Sequence, residues 1–112
     1  KMLDSKMKLK TYIAGPMRGI DDLNRPEFYA AEESLVKAGA FDPINPARMD
    51  KESGMSDEEL VGRDGLRSAM KRDLDALLEC DAIFMLSGWE KSEGSRVEHS
   101  LASMLDLAIF YQ

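Results

Sequence analysis

The sequence predicts an α/β domain in which helices cover both faces of a parallel sheet. Strand-like and helix-like segments alternate along the chain in the order β-α-β-α-β-α-β, and helical crossovers between parallel strands produce that architecture. The chain has 112 residues, enough for one domain. Its hydrophobic fraction of 44% and charged fraction of 32% are typical of a soluble globular protein.

The first predicted strand, residues 9–14, is rich in β-formers, and Gly15-Pro16 ends it. The loop at residues 15–22 contains two glycines and Arg18. Such a loop can hold an anion on its backbone N–H groups, or it can be a plain turn into a helix. It has neither a GxGxxG pattern nor a P-loop lysine, so it supports no dinucleotide or triphosphate site.

A first helix is expected from about Asn24, with Pro26 in its first turn and Glu27 as the capping-box partner of Asn24. Gly39 supplies its end, and residues 40–46 are predicted to form a short second strand with two prolines. The apolar face of this helix comprises Phe28, Ala31, Leu35 and Ala38.

Residues 49–65 are charged and interrupted by glycine, with a capped turn expected at 56–59. They indicate either a solvated connection or a flap over a site. The helical period returns at residues 66–78, where Asp73 falls within or beside the apolar stripe. A carboxylate there either pairs with a base such as Arg72 or faces a cavity, and a cavity would raise its pKa and suit an acid role.

The most apolar strand candidate, residues 82–86, leads through a polar loop into a last helix that ends near Leu105. Residues 106–111 are the fourth strand candidate. Ligands bind at the carboxyl ends of the strands in open parallel sheets. The loop after the third strand is therefore the first place to look for a site, and Glu98, early in the next helix, is its leading candidate.

Charge and cysteine content exclude several classes of protein. The net charge of −6 argues against a nucleic-acid polymer as partner. Cys80 is the only cysteine, so disulfides and multi-cysteine metal sites are excluded, and a buried inert thiol is predicted. No membrane span or signal peptide is visible, which favours the cytoplasm. Residues 1–8 are interpreted as a leader or a cloning remnant, with residues 9–112 as the domain.

Few side chains in the sequence are suited to catalysis or to ligand binding. Paired carboxylates such as Asp73 and Glu98, one ionised and one protonated, can cleave a glycosidic bond through an oxocarbenium-like state. Arg18 with its glycine loop, and Ser92 with Gly94, can hold phosphate oxygens.

Two aromatic residues have two interpretations each. Tyr12 can orient a carboxylate or be a core aromatic, and Trp89 can stack on a base or shield its loop. His99 is the only histidine, which excludes a histidine-based metal cluster. We expect neither a metal nor a cofactor.

Three motifs occur in a characteristic order: Tyr12-Ile-Ala-Gly-Pro-Met-Arg-Gly19, then Arg72-Asp73-Leu74 ahead of Cys80-Asp81-Ala82, then Ser92-x-Gly94-x-x-x-Glu98. Together they resemble the nucleoside 2-deoxyribosyltransferase superfamily over nearly the whole chain after residue 9. The resemblance implies a flavodoxin/Rossmann-like three-layer sandwich with a parallel sheet of four or five strands.

The same resemblance implies roles for individual residues. Glu98 corresponds to the nucleophile, Asp73 to the group that helps to protonate the departing base, and Tyr12 to the residue that positions the nucleophile. The superfamily's sites are often completed by a neighbouring subunit, so a homodimer or larger assembly is implied. The substrate-binding set comprises Gly15, Met17, Arg18, Gly19, Trp89, Ser92 and Gly94.

The position six residues before the nucleophile separates two branches of the superfamily. Transferases usually have an aspartate there, and this chain has Ser92. A serine can donate to a phosphate that an aspartate would repel. With Arg18-Gly19, this favours a hydrolase acting on the N-glycosidic bond of a (deoxy)nucleoside 5′-monophosphate.

Two alternatives stay open. One is a 2-deoxyribosyltransferase that exchanges bases, and the other is a non-catalytic nucleotide-binding module on the same fold. The second is motivated by His99-Ser100, because the superfamily usually has glycine at position 100. In this respect the chain resembles a short bacterial and phage branch.

Overall fold

The computed structural model describes residues 7–112; residues 1–6, which make up most of the expected leader, lie outside the described part. All four strands of the described chain pair in parallel, in the order β2-β1-β3-β4. This confirms the predicted α/β class with four strands. The strands are β1 (Leu9–Ala14), β2 (Phe41–Ile44), β3 (Ala82–Met85) and β4 (Ala108–Tyr111). The helices are α1 (Arg25–Ala38), α2 (Pro46–Ser53), α3 (Asp57–Val61), α4 (Arg63–Leu78) and α5 (Glu93–Met104).

Alternation along β1 divides the core into two layers. Tyr12 and Ala14 point to one face, where they pack with Leu77 of α4 and Ala102 of α5. Ile13 points to the other face, in a cluster with side chains of α1 and Ala47 of α2. Because successive strand residues face opposite sides, a single strand, buried over its last four residues, holds both helical layers in place.

The strand order places a crevice between β1 and β3. The chain leaves β1 toward β2 on one side and later returns to β3 on the other side, which makes a topological switch point. Ala14 pairs with Met85 at the carboxyl ends of the two strands. The loops that follow these strands therefore diverge at the same level of the sheet and leave room for a ligand.

The expected capping box at the start of α1 is wrong. Asn24 lies in the left-handed region with a φ of 60° and makes no capping bond with its side chain. Its amide Nδ2 instead donates to the carbonyl oxygen of Pro16 at 2.9 Å, and residues 21–24 form a 3-10 turn. Asn24 therefore ties down the loop after β1. Gly39 ends α1 as expected, with a φ of 83°.

Residues 49–65 are more regular than a solvated connection. Asn45 caps α2 by accepting from the N–H of Ala47 at 2.9 Å, and α4 begins at Arg63, earlier than expected. The predicted capping box of Ser56 and Glu59 is confirmed at the start of α3. Leu60 is buried, so α3 packs against the domain.

Cys80 is buried, and burial raises the pKa of its thiol to about 11. A thiol that stays protonated at neutral pH is a poor nucleophile, which agrees with the predicted inert role. Within residues 7–112, none of the helices combines the length and the apolar character needed to cross a membrane.

Candidate active site

A cavity of about 1070 Å³ opens at the carboxyl ends of β1 and β3. Its wall is formed by the loops after these two strands, by parts of the helices α1 to α4, and by the first turns of α5. Pockets for small organic ligands usually have volumes of roughly 300–1,000 Å³. The cavity is therefore large enough for a nucleotide.

The buried face of α5 is polar where it meets the cavity. Ser95, Glu98 and Ala102 are its buried residues, whereas Val97 is 49% exposed and Met104 is 74% exposed. A helix that buries a carboxyl group and exposes apolar side chains loses stability on both counts. This reversal of the usual burial of apolar and charged side chains indicates that the helix forms part of a functional site.

Glu98 lies at the bottom of the cavity with Tyr12. Tyr12 is fully buried, and its hydroxyl donates to Oε2 of Glu98 at 2.7 Å. Burial, with the negative charge of Asp73 nearby, raises the pKa of Glu98 to about 8, although the bond from Tyr12 opposes this shift. Within residues 7–112 the other carboxyl oxygen, Oε1, accepts no hydrogen bond, so it is available to a ligand.

Asp73 satisfies both interpretations left open by the sequence, because it lines the cavity and is paired with Arg72. Nε and Nη2 of Arg72 donate to Oδ1 of Asp73 at 3.0 and 2.7 Å. Burial raises the pKa of Asp73 to about 6, and Arg72 limits the rise. A carboxyl with this pKa can release a proton near neutral pH.

The loop after β1 contributes Gly15, Met17 and Arg18 to the cavity, whereas Gly19 lies outside its lining. Gly15 has a packing reason to be glycine, because a Cβ atom there would lie 2.7 Å from Cβ of Leu86. Gly19 has a φ of 81°, which is a left-handed conformation that favours glycine. Both glycines therefore shape the loop, and Arg18 is its one basic side chain.

The start of α5 presents donors to the cavity, and both Ser92 and Gly94 line it. The Ser92 hydroxyl accepts from the N–H of Ser95 at 3.2 Å, which leaves its hydrogen available to a ligand. The first N–H groups of a helix have no partner within the helix, and its dipole favours anions there. This arrangement suits the predicted phosphate contact.

Trp89 does not line the large cavity. Its indole ring stacks on the imidazole of His99 at 4.3 Å between centroids, and Nε2 of His99 lies 2.8 Å from the Tyr111 hydroxyl. Of the two interpretations of Trp89, packing over its loop fits this geometry and stacking on a ligand base does not. The same stack gives His99 a packing role.

Two cavity residues were missed by the sequence reasoning. Ser95 is 2% exposed, and its hydroxyl has no hydrogen-bond partner in the described part of the chain. Its position three residues before Glu98 is the signal that places it on the same helix face. Asp50 of α2 lines the cavity and binds Arg72 at 2.6 Å, a contact that no local pattern indicates.

The raised pKa of Glu98 predicts that the free energy of unfolding depends on pH. A carboxyl whose pKa rises from 4.5 to about 8 on folding favours the protonated state. Below pH 4.5 Glu98 is protonated in both the folded and the unfolded chain and does not lower the free energy of unfolding. As pH rises from 4.5 the free energy of unfolding falls, and the loss is complete above about pH 8. Glu98→Gln is neutral at every pH. We therefore expect this variant to melt several degrees above the wild type at about pH 8.5 and close to it at about pH 4.5.

Calorimetric melting of both proteins across this range checks the expectation. Glu33→Gln, an exposed change on α1 outside the cavity lining, is the control and should follow the wild type. If wild type and Glu98→Gln lose stability in parallel as pH rises, the buried ionisable carboxyl is not the cause.

Comparison with known proteins gives a family and no established activity. None of the curated proteins matches this chain. The family described as a domain of unknown function (DUF4406) matches residues 9–111, which include all four strands and every residue of the cavity except Gln112. The chain therefore belongs to the DUF4406 family.

Proposed function

We propose that this protein hydrolyses the N-glycosidic bond of a (deoxy)nucleoside 5′-monophosphate in the cytoplasm and releases the free base and the sugar phosphate. The observation that carries the proposal is the hydrogen bond from the Tyr12 hydroxyl to Glu98, at 2.7 Å, in a cavity that Asp73 also lines. The resemblance of the three sequence motifs to the deoxyribosyltransferase superfamily supports it further.

In the first step, Oε1 of Glu98 attacks C1′ of the sugar and forms a glycosyl ester. The electrons of the N-glycosidic bond leave with the base, which takes a proton from Asp73. Tyr12 holds Oε2 of Glu98 and fixes the direction of attack. In the second step, water attacks C1′, Asp73 accepts the proton of that water, and the ester bond breaks to restore the Glu98 carboxylate.

The phosphate would lie between the loop after β1 and the start of α5. Arg18 can pair with its oxygens, and Ser92 can donate a hydrogen bond. Two further cations, Arg67 and Lys91, line the same cavity, which also has five acidic residues in its lining. A phosphate would therefore be held by individual cations and not by a wall of net positive charge. The unpartnered hydroxyl of Ser95 favours a polar ligand, because an unsatisfied buried hydroxyl is costly.

The protonation states set the pH dependence. Reaction requires ionised Glu98 and protonated Asp73, but the pKa values of about 8 and about 6 place a shared proton mainly on Glu98. Only a minor fraction of the molecules then has the reactive arrangement. We expect a slow enzyme whose kcat/KM is flat between about pH 6 and 8 and falls about tenfold per pH unit on either side.

The proposal is tested by incubating the protein with ribo- and deoxyribonucleoside 5′-monophosphates and measuring free base by chromatography. The matching nucleosides without phosphate are the control substrates, and we expect faster release from the monophosphates. Adding a second free base tests the transferase alternative, because exchange faster than hydrolysis would favour it. Binding of nucleotides without release of base from any of them would replace the hydrolase by a binding module.

A further inference from the structure

We propose that Asp50 and Arg72 form a positioning clamp that occupies one carboxyl oxygen of Asp73, so that Asp73 presents its proton to the leaving base from the other oxygen. This inference rests on the proposed function, and it assigns roles to two residues that the sequence did not indicate as catalytic.

The clamp acts through Asp73 and not on the ligand. Nη2 of Arg72 donates to Oδ1 of Asp50 at 2.6 Å and to Oδ1 of Asp73 at 2.7 Å, and Nε adds a bond to the same Asp73 oxygen at 3.0 Å. Arg72 is not among the residues that line the cavity. Its guanidinium therefore bridges α2 and α4 behind the acid.

The bonds from Arg72 decide where the proton of Asp73 sits. Oδ1 of Asp73 faces two N–H donors that cannot be deprotonated. A hydrogen on that oxygen would point at these donors and weaken charge-assisted bonds. The neutral acid therefore carries its hydrogen on Oδ2. A carboxyl that keeps its hydrogen on one oxygen is already oriented for proton transfer, so it loses less conformational entropy in the transition state than a freely rotating carboxyl would.

Burial is the largest cause of the raised pKa of Asp73, and Asp50 adds to it by opposing the effect of Arg72. An unshared guanidinium beside a carboxyl lowers its pKa strongly. Here the side chain of Asp50 is 8% exposed and also accepts a hydrogen bond from the guanidinium of Arg72. The negative charge of Asp50 raises the pKa of Asp73, whereas Arg72 lowers it. Asp50, Arg72 and protonated Asp73 together carry no net charge, which is a favourable state for a half-buried cluster.

Other charged and titratable groups also face this site. A hydrogen bond with the Tyr12 hydroxyl of β1 lowers the pKa of Asp73, and the charge of Asp73 raises the pKa of Glu98 of α5. The remaining charged residues of the cavity lining are Arg18, Arg67, Lys91, Glu27 and Glu93. They are the same in all the variants below, so a difference between variants reports on the clamp.

The test compares pH profiles of kcat/KM for the wild type, Asp50→Asn and Arg72→Gln. Because Asp73 has the lower pKa of the pair, its titration sets the acid limb near pH 6. Asp50→Asn leaves the charge of Arg72 on Asp73 alone, so the acid limb should move down by about one pH unit and the plateau should fall about tenfold. Arg72→Gln removes that charge, so the acid limb should move up.

Glu52→Gln, an exposed change on α2, is the matched control and should leave the profile unchanged. Opposite displacements of the acid limb in the two clamp variants would support the proposal. Acid limbs that stay in place, with only a lower rate or a lower melting temperature, would reduce the cluster to a structural link and overturn it.

A carbon-13 NMR titration of the labelled Asp73 carboxyl gives the same answer without turnover. A wild type that releases no base would end the proposed function, whereas the NMR shifts would still decide whether Asp50 and Arg72 govern the protonation of Asp73. Unchanged titration of Asp73 in both variants would contradict the clamp even in an active enzyme.

Discussion

Glu98→Gln is expected to lower kcat for base release by about 10⁴-fold, to the limit of detection, because removal of a nucleophile leaves only the contribution of binding and positioning. Glutamine has nearly the same shape, and its amide oxygen can still accept the hydrogen bond from Tyr12. The cavity should therefore keep its form. Calorimetry should show that the variant binds a nucleoside monophosphate about as tightly as the wild type.

Glu33→Gln, on α1 outside the cavity lining and with a side chain 70% exposed, serves as the control for a lost carboxylate and should keep full activity. A Glu98→Gln variant that retained a tenth of the wild-type rate would remove Glu98 from the role of nucleophile. The Tyr12–Glu98 pair would then be a structural contact in the core.

Asp73→Asn is expected to slow base release by about 10²–10⁴-fold, the usual contribution of a general acid. The loss should be largest for bases that leave poorly without a proton and smaller for a substrate with an activated leaving group. The variant should also lose the alkaline fall of the wild-type profile, because only the ionisation of Glu98 then limits the rate.

The control for this change is Asp75→Asn, since the side chain of Asp75 is 61% exposed and pairs with Lys71 on the same helix. An alkaline fall that persists in Asp73→Asn would show that another group provides the proton. Equal losses for good and poor leaving groups would lead to the same conclusion.

Local patterns predicted most of the fold. Alternation and β-formers placed β1, the apolar run placed β3, and Gly39 marked the end of α1. Each of these signals depends on neighbours in sequence. Asn24 shows where such signals fail, because its side chain bonds to Pro16 in a loop that the helix pattern does not describe.

The candidate site likewise contains some residues that the sequence indicated and others that only the fold reveals. The motifs brought Tyr12, Asp73 and Glu98 together, and the structure places all three around one cavity. Asp50 could not be found from the sequence, because its partner Arg72 is 22 residues away on another helix. Trp89 shows the converse: its loop position suggested a ligand contact, and only the fold shows that it stacks on His99.

The anomeric configuration of the first product tests the central claim, that Glu98 attacks the sugar carbon, most directly. Base release in water containing methanol yields a methyl glycoside of the sugar phosphate, and proton NMR gives its configuration. Two successive displacements retain the β configuration of the substrate, whereas a direct attack by solvent inverts it. We expect the β-methyl glycoside from the wild type. The α-methyl glycoside would contradict a covalent intermediate on Glu98.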